Sequence, residues 1–191
     1  MCQDNGIEPS ELLAFSDSSF QDCPDTGRST TAFKIFYRGS LCDANSSTPV
    51  PVAMSSAEAE YMGASNAAMT LAHFRELLYD MENMGKEDYD ATKIHGQVPT
   101  LLLTDNAATV AMSKNYKVTK KNRHIARRFH YVKQGSKNGD HVLKWISNQD
   151  MLADDGTKTQ EASKSQPHMQ RTLIEIPEYV KGYNSSKVGN R

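Results

Sequence analysis

The chain has 191 residues, 38% of them hydrophobic, and a formal net charge of −1; it fits one domain with enough apolar residues for a core. Three cysteines without a CxxC pair argue against a disulfide framework and a thiolate zinc site. The sequence opens on the polar stretch Met1 to Gly6 and has no apolar run near the roughly 18 residues of a membrane helix. Neither a secretory signal nor a membrane span is expected, and cytoplasm or nucleus is the expected location.

Residues 1–10 read as a polar extension, 11–162 as the domain, and 163–191 as a C-terminal extension with a polar tail. Three strands are predicted first: Glu11 to Phe20, Ala32 to Tyr37, and Pro51 to Ser55. The turn-forming stretches Asp22 to Gly27 and Asp43 to Pro49 connect them, which implies a meander. Asp17 closes the run Leu12-Leu13-Ala14-Phe15-Ser16 and is expected at the tip of a buried strand.

Ser55-Ser56-Ala57-Glu58 has the form of a capping box, so a helix should start there and run to about Met84, with Gly85 as its stop. Glu60, Ala64, Ala67, Leu71, Phe74, Leu78 and Met81 recur at spacings of three and four, one continuous helix face. Glu60 thus lines up with the buried stripe. Glu58 lies about 200° away and has the capping role. A carboxylate aimed at a core is costly unless paired, protonated or bound to a cation, which makes Glu60 the functional candidate.

After a polar loop, Glu87 to Gln97, the run Thr100 to Thr104 predicts a strand closed by Asp105. Helices over about 106–113 and 122–137 follow, then a strand, Val142 to Ile146, and a short polar link to Asp154. Read singly, Asp17 suits a turn, Asp105 a helix cap, and Asp154 a helix start. Together, four acids at the ends of four elements would repel one another unless they surround a cation. None of the six histidines suggests zinc.

Nine of the 22 Lys and Arg residues fall between 114 and 137, where there is no Asp or Glu. In the second of these helices Ile125, Phe129 and Val132 share one face, and Arg123, Arg127, His130 and Lys137 share another. One face should pack and the other should meet a polyanion.

The motifs FSDSSF, GRSTTA, SSAEAEYMGAS, TDNAATVAMSKN, NRHIARRFHYVK and LADDGTK resemble, in sequence and in order, the ribonuclease H domain of copia-type retrotransposon Pol polyproteins. The resemblance covers about residues 12–160. It implies a ribonuclease H-like α/β fold with a mixed five-stranded sheet flanked by helices. It also implies cleavage of the RNA strand of RNA–DNA hybrids during reverse transcription, using Mg²⁺ with Mn²⁺ as a substitute, beside a reverse transcriptase domain of the same polyprotein.

By that resemblance Asp17 bridges two ions, Asp154 joins it on the nucleophile side, and Glu60 and Asp105 hold the other ion. Lys120, Lys121, Arg123, Arg127, Arg128 and Asn106 would contact the nucleic acid. The register of Leu152-Ala153 and Thr157-Lys158 selects Asp154 over Asp155.

Three departures stand out. Ala107 replaces the family's common Gln, the link Ser147 to Met151 has no His, and Asp155-Gly156 replaces an aliphatic pair. The last predicts a loosened helix start, weak activity and improvement on restoring two aliphatic residues. The rival reading is a nucleic-acid-binding retroelement remnant with the same fold and little or no catalysis.

Overall fold

A computed structural model of the protein describes residues 12–49, 52–86, 90, 98–115, 126–158 and 170, with Asn115 and Phe129 described by backbone alone. Strand β1, Leu12–Ser19, is buried from Leu12 to Ser18, as an apolar run covered on both faces should be. It pairs antiparallel with β2, Thr30–Tyr37, which pairs antiparallel with β3, Ser40–Ser47. On the other side of β1, β4 (Thr100–Thr104) and β5 (His141–Trp145) add parallel neighbours. The sheet order is β3-β2-β1-β4-β5.

The meander is present, but its third strand is Ser40–Ser47 and not Pro51 to Ser55. Arg38 and Gly39, with φ of 49° and 81°, turn β2 directly into β3, the paired positive φ of a tight hairpin turn. Strand β3 lies at the edge of the sheet and is almost wholly exposed. Its polar residues show no apolar alternation, so only the backbone ladder to β2 marks it as a strand.

Helix α1 spans Ser56–Asn83. Ser55 Oγ accepts the Glu58 amide at 3.2 Å, and Glu58 reaches back to the Met54 amide at 2.8 Å. The capping box therefore forms one residue wider than its usual version, which returns to the cap residue's own amide. Glu60, Ala64, Ala67 and Leu71 are buried and Phe74 and Leu78 pack partly against the core, but Met81 is 65% exposed. The stripe runs off the sheet before its last residue.

Helices α2, Ala107–Asn115, and α3, Ala126–Asn138, lie between β4 and β5. Strand alternation sorts the core. Leu12, Ala14, Phe33, Ile35, Leu102 and Leu143 face α1, with Val132 of α3 among them. Leu13, Phe15, Phe36, Leu101 and Leu103 face the segment Ile146, Met151, Leu152 and Ala153. Phe15 and Phe36 meet edge to face at 5.7 Å, a favourable aromatic geometry. Buried Arg75 ties α1 to the start of β4 through Val98 O and Thr100 Oγ1, both at 2.9 Å.

Because the Ser55 hydroxyl serves an amide that no carbonyl of the helix can reach, Ser55→Ala should lower unfolding stability by about 1 kcal/mol in urea titrations. An unchanged midpoint would show that the cap contributes nothing.

Candidate metal centre

The last parallel pairing of β1 with β4 is Phe15 with Leu103. Beyond it the strands part, and Asp17 and Asp105 stand on either side of the opening. Asp17 lies inside the antiparallel ladder, opposite Ala32, and not at the strand tip. The carboxyl ends of parallel strands are where open α/β sheets place ligands.

Glu60 arrives from α1. A Cβ at Gly63, one turn further on, would lie 3.0 Å from Ser16 Oγ and 3.2 Å from Asp17 O. The missing side chain lets the helix approach β1 closely enough for its acid to reach Asp17. Ligand oxygens of Asp17, Glu60 and Asp105 all lie within 4.8 Å of one another.

Asp105 is freed for this arrangement by its neighbour. Asn106 Oδ1 caps α2, accepting from the amides of Ala108 at 3.0 Å and Thr109 at 3.2 Å. The Asp105 carbonyl accepts the Trp145 indole N–H at 2.8 Å, and its Oδ2 accepts from Asn148 Nδ2 at 3.2 Å. Backbone and carboxylate are thus both held from the β5 side.

Asp154 opens a single 3₁₀ turn, Asp154–Gly156. The Thr157 hydroxyl donates to Asp17 Oδ2, and the Thr157 Oγ1 itself lies 3.1 Å from the Asp154 carbonyl oxygen. Lys158 Nζ donates to Asp154 Oδ1 and lies 4.0 Å from Asp17 Oδ2. The structure brings Asp17, Glu60 and Asp105 together directly, and joins Asp154 to Asp17 through Thr157 and Lys158. Sequence reasoning used Thr157-Lys158 only to fix register; the four-residue spacing of Asp154 and Lys158 was the available signal for an ion pair.

Asp155-Gly156 has a structural task that corrects the expectation of a loosened turn. Asp155 Oδ2 meets Lys34 Nζ of β2 at 2.6 Å. Gly156 O accepts from Ser46 Oγ of β3 at 2.6 Å, and a Cβ on Gly156 would fall 2.7 Å from the Ala32 Cβ. An aliphatic side chain there collides with the sheet.

Burial is the main cause raising the pKa of Glu60 to about 9, reinforced by the charges of Asp17 and Asp105. The Ser18 amide offers it one hydrogen bond, while its Oε2 is buried without a hydrogen-bond partner. Burial likewise raises Asp17, against the opposing pull of the Thr157 hydrogen bond and Lys158, and raises Asp105, helped by the Asp17 charge. For Lys158 burial acts downward, but the Asp154 hydrogen bond and the charges of Asp17, Asp154 and Asp105 outweigh it and the pKa rises.

Three clustered carboxylates and an orphaned Glu60 oxygen fit a hard divalent cation with oxygen ligands. Among the remaining candidates, Arg127 is exposed on α3, while Arg128 is half-buried and gives a 2.6 Å hydrogen bond to Asn66 Oδ1 of α1. Lys120, Lys121 and Arg123 lie outside the described residues. His73 and His130 are exposed; His141 is buried with Nε2 3.1 Å from Val132 O.

No protein-family model matches the sequence, and no curated protein matches it. Solved structures do match. The N-terminal RNase H domain of a Mycobacterium tuberculosis protein aligns over 82% of this chain and 96% of its own, with TM-score 0.52 and 11% identity. LC11-RNase H1, isolated from compost, aligns over 77% and 92%, with TM-score 0.52 and 16% identity. A structure of LC11-RNase H1 in complex with an RNA/DNA hybrid aligns over 75% and 91%, with TM-score 0.50 and 15% identity. The chain has an RNase H-like fold, with the mixed five-stranded sheet of those domains. Among the described residues no helix is long and apolar enough to cross a membrane.

Two measurements check this centre. Without cations, folded Glu60 retains its proton to about pH 9 while the unfolded chain releases it near pH 4.5. Its contribution is therefore full below pH 4.5 and is lost as pH rises through 9, with Asp17 and Asp105 acting in the same sense. In chelator, Tm should fall across that window, and Glu60→Gln should flatten the fall; identical profiles would contradict the buried assignment. Replacing Asp155-Gly156 by Leu-Leu should lower Tm, through overpacking of about 1–3 kcal/mol and loss of the Lys34 partner; a higher Tm would show that the turn can be repacked.

Proposed function

We propose that this protein is a divalent-cation-dependent endoribonuclease that cleaves the RNA strand of RNA–DNA hybrids, serving reverse transcription in a copia-type retroelement. The observation that carries the reading is the convergence of Asp17, Glu60 and Asp105 where β1 and β4 part, with a buried Glu60 oxygen lacking a partner. The RNase H-like fold supports it, as does the similarity of that fold to an RNase H1 structure in complex with an RNA/DNA hybrid.

Asp17, Glu60 and Asp105 would hold the cation, with Asp154 completing the set beside Asp17. When bound, a pair of Mg²⁺ or Mn²⁺ ions supplies charge stabilisation at the scissile phosphate and an activated water. The chain's own contribution is orientation. Thr157 fixes one Asp17 oxygen, Asn148 one Asp105 oxygen, and Trp145 the Asp105 backbone. Glu60 would have to give up its proton to serve as a ligand, which would couple cation binding to pH.

Hybrid would be recognised by backbone shape and 2′-hydroxyls. Arg127 is the exposed candidate on α3, and Lys120, Lys121 and Arg123 precede it in the basic block. The Asn106 carbonyl is engaged at the α2 cap, so its Nδ2 is the group it would offer. The alternative is a nucleic-acid-binding remnant with the same fold and little or no catalysis; Asp155-Gly156, one of the departures from the family pattern, packs against β2 and β3. A reverse transcriptase domain is the proposed partner, and cytoplasm or nucleus the proposed location.

Asp17→Asn should abolish Mg²⁺-dependent cleavage of a labelled hybrid while the protein stays folded and binds hybrid. Cleavage at the unmutated rate would remove Asp17 from the centre; no cleavage by the unmutated chain with either ion would favour the remnant. Arg127→Ala should lower the log–log salt slope of hybrid binding by about 1, whereas an unchanged slope would make Arg127 a solvated residue.

A further inference from the structure

We propose that Lys158 is a tethered counter-cation: in the free protein its ammonium occupies the Asp17–Asp154 side of the carboxylate cluster, and a divalent cation enters that side only by displacing it. This rests on the reading of the cluster as a cation centre.

The geometry is asymmetric. Asp17, Glu60 and Asp105 present oxygens within 4.8 Å of one another. Beside Asp17, and outside that trio, Lys158 Nζ bonds Asp154 Oδ1 and stands 4.0 Å from Asp17 Oδ2, with its charge also felt at Glu60 and Asp105. One positive charge thus lies between the two acids that an ion on this side would have to share. A lysine ammonium is a compact point charge on a flexible stem, so it can fill such a position without the fixed geometry of a guanidinium. The Lys158 side chain is 46% exposed and has a route outward.

The neighbouring cation has a different assignment. Lys34 meets Asp155, whose carboxylate is directed to β2. The two lysines therefore separate two effects of removing a charge. Loss of Lys158 should empty a cation position, while loss of Lys34 should only loosen the turn.

Mn²⁺ binding to the intact chain without nucleic acid, followed by electron paramagnetic resonance of the free ion, tests this. Lys158→Met and Lys158→Gln should each tighten Mn²⁺ binding by about tenfold or add a second ion, the scale of one charge removed near a protein surface. Both should also lower Tm in chelator and widen the Tm gain on adding Mn²⁺. Lys158→Arg should bind as the unmutated protein does, and Lys34→Met should lower Tm without tightening binding. If Lys158→Met and Lys158→Gln bind Mn²⁺ with unmutated affinity and stoichiometry while Asp17→Asn abolishes binding, the cation centre stands and the role of Lys158 is overturned. If neither the unmutated protein nor the Lys158 variants bind Mn²⁺ at millimolar concentration, the cation centre falls and the competition falls with it.

Discussion

Several carboxylates withdrawn from water and crowded at one point form the constraint around which this molecule is organised. Each is costly to bury and each makes its neighbours costlier, as the upward pKa shifts of Asp17, Glu60 and Asp105 record. Such a group of acids stays together only if the scaffold is stiffer than their repulsion. Strand β1 supplies this by lying at the sheet centre, paired on both edges. Gly63 brings α1 close, Trp145 holds the end of β4, and Thr157 and Asn148 each immobilise one oxygen.

The parts of this arrangement that follow from periodicity were legible in the sequence. Uninterrupted apolar runs marked β1 and β4, and the three-and-four spacing placed Glu60 on the buried face while the cap separated it from Glu58. Strand β3 was not legible, because an exposed edge strand bonded through its backbone leaves no apolar signature. Met81 shows the opposite failure: its spacing continues a stripe whose sheet has already ended. The site meanings of Asp17 and Asp105 came from their neighbours in the motifs; local rules alone also allowed a turn residue and a helix cap. The structure gives the cap to Asn106.

Asp155-Gly156 was misread for a related reason. Sequence alone shows a glycine and an added negative charge beside a cluster of acids, and both look harmful. Whether they are depends on what lies across the space, here Lys34, Ala32 and Ser46 from a hairpin more than a hundred residues earlier. Glycine at such a position reflects the closeness of another backbone layer. Charge in this molecule is similarly local: a near-neutral total conceals a basic block in 114–137 and an acidic remainder.

The contacts of Thr157 and Lys158 with Asp17 span almost the whole described chain. Such distant pairings close only after the intervening segments have been ordered, because loop-closure entropy opposes them until then. On a ribosome, which releases the chain from its N-terminus, the meander of β1 to β3 and the first helix would be available well before residue 158 emerges. Throughout that interval Asp17 would sit on a formed strand without its hydroxyl and ammonium neighbours. The order of synthesis therefore makes the arrival of residues 154–158 the step that completes the Asp17 side of the centre.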